Sequence, residues 1–380
     1  GLMPGTYQVR ESQPAGYYSV GASAGKLNNG TSVGHIVAGN PDVLTQVDVL
    51  LGDQHATELN FAENLPASIS GHTCVVVSGF DCFSSSSEKA PLAGVLIELR
   101  NASGQVIVTQ TTGADGKYLF ANLRAGVYSL TETTPAALLE GDSKVGSSGG
   151  VKVNGSQISQ IAIGGGVTAT DYDFCELTPS DLSGHTFYDQ NNNGRRDSGE
   201  LPLSSVLVTL WDDAGSKVAE MRTNSQGYYQ FNRLRPGTYR VTEQTPSEYL
   251  PGQAAVGTVS GKTVGSGDAS GDVLSAIVLP AGSHGIDYDF GEILPGSIAG
   301  RVISDTNGNC IIDATGDRPL AGVTIELLSA TGAVLQTTLT DAQGNYKFDN
   351  LLPAEYAIRE VQPVGYFQGD HHAGSGGGDA

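Results

Sequence analysis

Along residues 179–294, apolar and polar side chains alternate in short runs separated by clusters of Gly, Pro, Asn and Asp. Period-two alternation places successive side chains on opposite faces of a strand. The runs "SGHTFYD", "SVLVTLWD", "KVAEMRT", "GYYQFNRL", "GTYRVTEQ", "VLSAIVLP" and "GIDYDFGE" therefore predict seven strands. Turns fall at Asp213–Gly215, Gln226–Gly227 and Pro236–Gly237, where Gly or Pro supplies the backbone angle. Tyr229 and Phe231 stand two apart and share a face, as do Tyr239 and Val241, so they read as core rather than as a ligand site. The Gly/Ser-rich stretch 251–272, and its counterpart 140–157, read as exposed excursions without aromatic residues. Seven short strands in a unit of this size predict a two-sheet β-sandwich.

The same pattern recurs. "GTYQVRESQPAGYY" (5–18), "GVYSLTETTPAALL" (126–139), "GTYRVTEQTPSEYL" (237–250) and "AEYAIREVQPVGYF" (354–367) align on Tyr7, Tyr128, Tyr239 and Tyr356. Repeats of this kind are one structural unit each. A closing marker recurs as "LNFAENLPASISG", "YDFCELTPSDLSG" and "YDFGEILPGSIAG". The expected organisation is an all-β linear array of seven-stranded, Ig-like or prealbumin-like sandwiches. It comprises the C-terminal part of a repeat (1–67), two complete repeats (68–178 and 179–294) and the N-terminal part of another (295–380). Incomplete sandwiches cannot cover their own cores. The expectation is a window on a longer array, or terminal units completed by neighbouring copies. The linkers "LPAS", "LTPSD" and "LPGS" are short and each holds Pro, which limits bending.

Charge narrows the partners. Forty acidic against 20 basic residues give a net charge of −20. Such a surface repels nucleic acid and anionic lipid and attracts divalent cations. No apolar run approaches the roughly 18 residues of a membrane helix. No nucleophile elbow, phosphate loop or HExxH motif is present. His371–His372 reads as a solvated loop, and the sequons at Asn29, Asn101 and Asn154 as weak signals.

The segment "YDQNNNGRRDSGE" (188–200) carries the candidate chemistry. Asp189, Asn191, Asn193, Asp197 and Glu200 occupy positions 1, 3, 5, 9 and 12 of a calcium loop. Gly194 sits at the turn and Arg195 offers its carbonyl at position 7. Ca²⁺ takes six to eight oxygens, and this spacing supplies them. "DTNGNCIIDATGD" (305–317) offers Asp305, Asn307, Asn309 and Asp313, with the Ile311 carbonyl. There Cys310 replaces the turn glycine, Gly316 falls at position 12, and Asp317 comes one residue late. The second repeat keeps only Asp81 and Glu88 as oxygen ligands.

Cysteine takes its place. Cys82 and Cys310 align with Gly194, whereas Cys175 aligns with Gly291 and Ala62. The second repeat thus fills both places and the third fills neither, which predicts a Cys82–Cys175 disulfide within one domain, with Cys74–Cys82 as the rival pairing. Parallel pairing of first and last strands would bring those ends together. A bridge implies an oxidising compartment.

"SGHTFYDQNNNGRRDSGELPLSSVLVTLWD" followed by "GTYRVTEQTPSEY" resembles the SdrD B-like domain, of the wider Cna-B/prealbumin-like group of bacterial surface-protein repeats. The resemblance implies extracellular stalk or adhesin modules, often stabilised by calcium. Some Cna-B domains carry a Lys–Asn isopeptide bond with a catalytic acid. Glu11, Glu132, Glu243 and Glu360 hold a position like that acid, but the first strands offer no lysine, so no such bond is expected; a hydrogen bond near a strand end is the expected role. The favoured reading is a structural rod, stalk or filament segment whose partners are neighbouring repeats or copies of itself. An adhesin or carbohydrate-binding module, or accessory domains of an extracellular enzyme, are the alternatives.

Overall fold

The computed structural model describes residues 1–309, 313, 315–369, 371, 374 and 375; Cys310, Ile311 and His372 lie outside the described residues. All regular structure among the described residues is β. The chain divides into two compact units. One holds Gly1–Ser180, Arg233–Pro236 and Pro280–Ser283, and the other holds Asp181–Asn232, Gly237–Leu279 and His284–Ala380.

In the first unit, the second repeat is a sandwich. One sheet runs Glu88–Pro91, Ala67–Ser78, Asp173–Leu177, Leu139–Lys144, with Lys117–Leu123 paired to Ala67–Ser78. The other runs Val106–Thr111, Leu96–Asn101, Gly126–Glu132, Gln157–Ile163, Val151–Asn154. Between them lie Ile69, Ile97, Leu99, Tyr118, Phe120, Leu130, Ile158, Ile161 and Phe174, all buried. In the same unit, Gly5–Arg10 and His35–Val37 flank Asn40–Val49, and Tyr18–Ser23 pairs with Asn60–Asn64.

The second unit repeats the plan. Ser180–Tyr188 pairs with Asp289–Ile293, and Leu207–Asp212 lies between Lys217–Arg222 and Gly237–Gln244. Farther along, Thr324–Ser329 pairs with Val334–Leu339 and Tyr356–Glu360 over a core of Ile325, Leu327, Phe348 and Leu351. Tyr229 and Phe231 are buried core residues, as their spacing predicts. The Tyr229 hydroxyl donates to the Tyr288 carbonyl at 2.6 Å, and Tyr118 donates to Tyr172 at 2.5 Å.

First and last strands of the second and third repeats run parallel. In the second repeat Cys175 faces Cys74 and Glu176 faces Val75; in the third, Phe187 faces Gly291 and Tyr188 faces Glu292. The loop after the first strand and the end of the last strand therefore share one end of the sandwich.

One expectation needs correction. The stretches 140–157 and 251–272 are not bare excursions. They form strands Leu139–Lys144 and Val151–Asn154, and Leu250–Ala255, Thr258–Val259, Lys262–Thr263 and Ser266–Gly267. Leu250–Ala255 pairs antiparallel with the closing strand. The cause is close backbone approach. A Cβ on Gly252 would stand 2.4 Å from the Gly291 oxygen, and one on Gly141 would stand 2.1 Å from the Cys175 oxygen. Glycine is used there for space, and it erases the alternation that marks a strand.

Candidate metal loops and the thiol cluster

The loop of the third repeat begins where the first strand ends. The Asp189 amide donates to the Glu292 carbonyl at 2.8 Å, so the loop is anchored on the last strand. Asp189 itself has no exposed surface. Its Oδ1 accepts from the Asn193 amide at 3.1 Å and its Oδ2 from the Gly194 amide at 2.7 Å. Asn191 Oδ1 accepts from the Asn193 amide (3.1 Å), and Asn193 Oδ1 accepts from the Arg195 amide (2.7 Å). Glu200 reaches back across the loop, accepting from the Gln190 amide at 3.1 Å and the Asp197 amide at 2.8 Å. Asp197 accepts from the amide groups of Asn193 and Asn191, which hold its carboxyl below the usual range. Gly194 makes the turn at φ +71°.

Asp189, Asn191, Asn193, Asp197 and Glu200 thus form one oxygen-rich network, and Arg195 enters it through its backbone. Among the described residues no Lys, Arg or His pairs with Asp189. A buried carboxylate held only by neutral donors is costly unless a cation balances it. An all-oxygen donor set suits a hard divalent cation, so the residues present fit Ca²⁺.

The fourth repeat builds the same network. Asp305 Oδ1 accepts from the Asn307 and Gly308 amides at 3.0 and 2.7 Å. Asn307 and Asn309 both donate to Asp313, at 2.8 and 2.9 Å. Asp317 accepts from the Thr306 amide at 3.1 Å and the Asp313 amide at 2.9 Å. These are the bonds that Glu200 makes. The late position of Asp317 compensates for its shorter side chain, a substitution that position counting does not reveal. The Ile311 carbonyl falls outside the described residues.

The second repeat closes the same end differently. Val76 stands where the third repeat has Asp189 and is wholly buried with Cys82, Cys175 and Leu177, against partly buried Cys74. Cys74, Cys82 and Cys175 are free thiols. Cys82 Sγ lies 3.2 Å from the Cys175 carbonyl oxygen. The Cys74 and Cys82 thiols and burial all push the Cys175 thiol far above its usual range. Cys82 and Cys175 are therefore brought together, and Cys74 joins them through strand register, a contact that sequence spacing missed. Among the described residues neither Asp81 nor Glu88 belongs to a group of three or more potential metal ligands. The loop is tied instead by Ser87, whose Oγ accepts from the Phe80 and Asp81 amides at 3.3 and 3.2 Å.

Two further residues of the third-repeat site were not legible. Gln253 donates to the Asn192 carbonyl at 2.7 Å from a strand that the sequence hides. Asn192 itself takes φ +53°, which its short polar side chain tolerates.

A family model described as the SdrD B-like domain matches residues 83–174, 181–292 and 296–379. Serine-aspartate repeat-containing protein D of Staphylococcus aureus (strain Newman) is 32% identical over 275 residues, covering 72% of this chain and 20% of that protein. Serine-aspartate repeat-containing protein F of Staphylococcus epidermidis is 32% identical over 284 residues, covering 75% of this chain and 16% of that protein. The chain thus spans about a fifth or less of these relatives. Among solved structures, the Bacillus anthracis TIE protein is similar over 96% of this chain and 64% of its own (16% identity, TM-score 0.32). BcpA, the major pilin subunit of Bacillus cereus, is similar over 80% of this chain and 90% of its own (11% identity, TM-score 0.32).

Proposed function

Because the chain belongs to the SdrD B-like domain family, we propose that it is a structural segment of a long extracellular protein of the bacterial surface. Its sandwiches act in series as a rod, stalk or filament, with no catalytic role. Asp189, Asn191, Asn193, the Arg195 carbonyl, Asp197 and Glu200 would hold one Ca²⁺. Asp305, Asn307, Asn309, the Ile311 carbonyl, Asp313 and Asp317 would hold another. The ion's contribution is charge balance and cross-linking of the loop. Among the described residues no helix pair flanks either loop, so binding has no sensor movement to drive. In the second repeat Cys82 and Cys175 are free thiols, and their oxidation to a disulfide would serve the same end.

The observation that carries this reading is Asp189, a wholly buried carboxylate among oxygen ligands, anchored to the last strand. A ligand that binds only the folded state stabilises it by about 2.7 kcal/mol at a hundredfold excess over Kd. Thermal unfolding of the whole chain in Ca²⁺ and in chelator tests it. The expected result is a lower midpoint in chelator, abolished in part by Asp189→Ala. Equal midpoints in both buffers, with a silent Asp189→Ala, would end the calcium reading.

A further inference from the structure

The thiol cluster of the second repeat holds one cysteine more than a disulfide uses. Period-two alternation puts Cys74 and Val76 on one face of strand Ala67–Ser78, and Ile69, Gly71 and Thr73 on the other. Ile69 lies in the sandwich core, whereas Val76 packs with Cys82, Cys175 and Leu177 in a separate small cluster. The three thiols therefore gather outside the core, on the outer face of the sheet.

Their exposure differs. Cys175 has no exposed surface and Cys82 is 4% exposed, whereas Cys74 is partly exposed. Strand Leu139–Lys144 shuts Cys82 in, since a Cβ on Gly141 would stand 2.6 Å from its sulfur. An oxidant in solution reaches neither member of the buried pair, but it reaches Cys74.

The contacts radiate from Cys175. Parallel pairing sets Cys74 directly opposite it. Neighbouring strands lie about 4.8 Å apart, inside the roughly 4.4–6.8 Å between Cα atoms that a disulfide spans. From the loop, the Cys82 thiol donates to the Cys175 carbonyl at 3.2 Å. Among the described residues the three thiols form no group close enough to share a metal ion. Cys175 thus has two alternative sulfur partners, one at the surface and one inside. The Cys175 thiol, and then Lys89, hold the Cys74 thiol below its usual range against burial, Asp173 and Glu176. The thiolate is the nucleophile, so Cys74 is the sulfur suited to attack first.

We propose that Cys74 is a thiol–disulfide exchange site, which takes up a low-molecular-weight disulfide and passes the oxidation inward to Cys82 and Cys175. The proposal rests on the Cys82–Cys175 reading and supplies its route. The Cys74 thiolate attacks the small disulfide; a mixed disulfide forms and one small thiolate leaves. Cys74 then carries no charge to oppose ionisation of Cys175. Cys175 gives up its proton and attacks the Cys74 sulfur, and the second small thiolate leaves. Cys82 gives up its proton and attacks the Cys175 sulfur, and Cys74 leaves as the thiolate it began as. The two protons go to the two small thiolates. One small disulfide is reduced, Cys82 and Cys175 are oxidised, and Cys74 is regenerated.

The test uses the whole chain with Cys310→Ser, which leaves these three cysteines alone. The reduced protein is mixed with oxidised glutathione, quenched and alkylated at intervals, and mapped without reduction. The expected order is glutathione on Cys74, then Cys74–Cys175, then Cys82–Cys175 with Cys74 free. Cys74→Ser, and separately a brief iodoacetamide pulse that caps Cys74 without mutation, should each slow formation of Cys82–Cys175 by about tenfold or more, the factor that about 1.4 kcal/mol of local opening imposes. Formation at the unblocked rate in both overturns the proposal, and so does first glutathionylation at Cys82 or Cys175. Failure of the underlying reading is distinct: Cys82–Cys175 then never forms, whether Cys74 is present or blocked, and both fall.

Discussion

Gly184 carries the tightest backbone contact between the first and last strands of the third repeat. A Cβ placed there would stand 1.8 Å from the Tyr288 carbonyl oxygen and 2.9 Å from the Tyr229 hydroxyl. An ordinary contact is near 3.4 Å, so Gly184→Ala must part the backbones by roughly 1.5 Å in a close-packed interior. Overpacking of this kind costs about 1–3 kcal/mol. The parting also breaks the 2.6 Å bond from Tyr229 to the Tyr288 carbonyl. An orphaned buried acceptor adds about 1–3 kcal/mol. The sum, about 2–6 kcal/mol, is a large share of the roughly 5–15 kcal/mol that holds a domain together. Trp211, the single tryptophan of the chain, sits in this repeat, so its fluorescence during urea unfolding reports on it. Tyr229→Phe separates the terms by removing the hydroxyl alone. The expected order of midpoints is wild type, then Tyr229→Phe, then Gly184→Ala. A Gly184→Ala chain within about 0.5 kcal/mol of wild type would refute the claim that this approach needs glycine, since surface changes already span that much.

Burial, first, and then Glu176 push the Glu132 carboxyl up to about 9, and burial also raises Glu176. The folded second repeat therefore binds more protons than the unfolded chain between about pH 4.5 and 9, and its stability falls as pH rises through that window. Glu132→Gln should flatten this slope and raise stability at pH 8, read by hydrogen exchange of the second repeat at pH 5 and pH 8; an unchanged slope refutes it. Oxidation to Cys82–Cys175 closes a loop of about 90 residues and should add about 4 kcal/mol to that repeat. Non-reducing peptide mapping checks the pairing, and recovery of Cys74 linked to Cys175 would show that register, not the loop, selects the partner. Arg124 lies 4.6 Å over the Tyr18 ring and donates to the Ser19 carbonyl at 3.1 Å. Arg124→Ala should cost about 1–2 kcal/mol of local stability, seen as faster amide exchange at 18–23, and unchanged exchange there refutes it.

The sequence exposed whatever alternates or repeats. Strand Gly237–Gln244 reads directly from "GTYRVTEQ", and the oxygen-bearing side chains of the third-repeat loop are regularly spaced within 12 residues. Contacts made by register were hidden. Cys74 meets Cys175 only because parallel pairing sets them opposite each other. The carboxylates of Glu243, Asp272 and Glu292 meet from three separate stretches, and no local pattern joins them. Leu250–Ala255 was obscured for a steric reason, because Gly252 is spent on closeness to Gly291. Asp317 was visible as a candidate one residue late, but that its shorter side chain offsets the delay shows only in three dimensions.

These contacts also explain why one end of the sandwich accepts different staples. Parallel first and last strands end side by side, and the chain must then travel through a long loop before pairing again, as Phe187 does with Pro202. Ordering that loop costs conformational entropy that its polar residues cannot recover by burying apolar surface. Any tie between the loop and the last strand offsets the cost. In the third repeat Asp189 makes the tie, through its amide to Glu292 and its buried carboxylate. In the second repeat Val76 replaces that charge, and Cys82 lies against Cys175. On the proposed reading the two solutions exclude each other locally: an apolar residue at the Asp189 position removes a ligand of the proposed ion, and a buried carboxylate would desolvate badly beside the thiols. On the same reading the third repeat depends on calcium and the second on thiol oxidation. Chelator should soften the third repeat while leaving the second intact, and reductant should do the reverse.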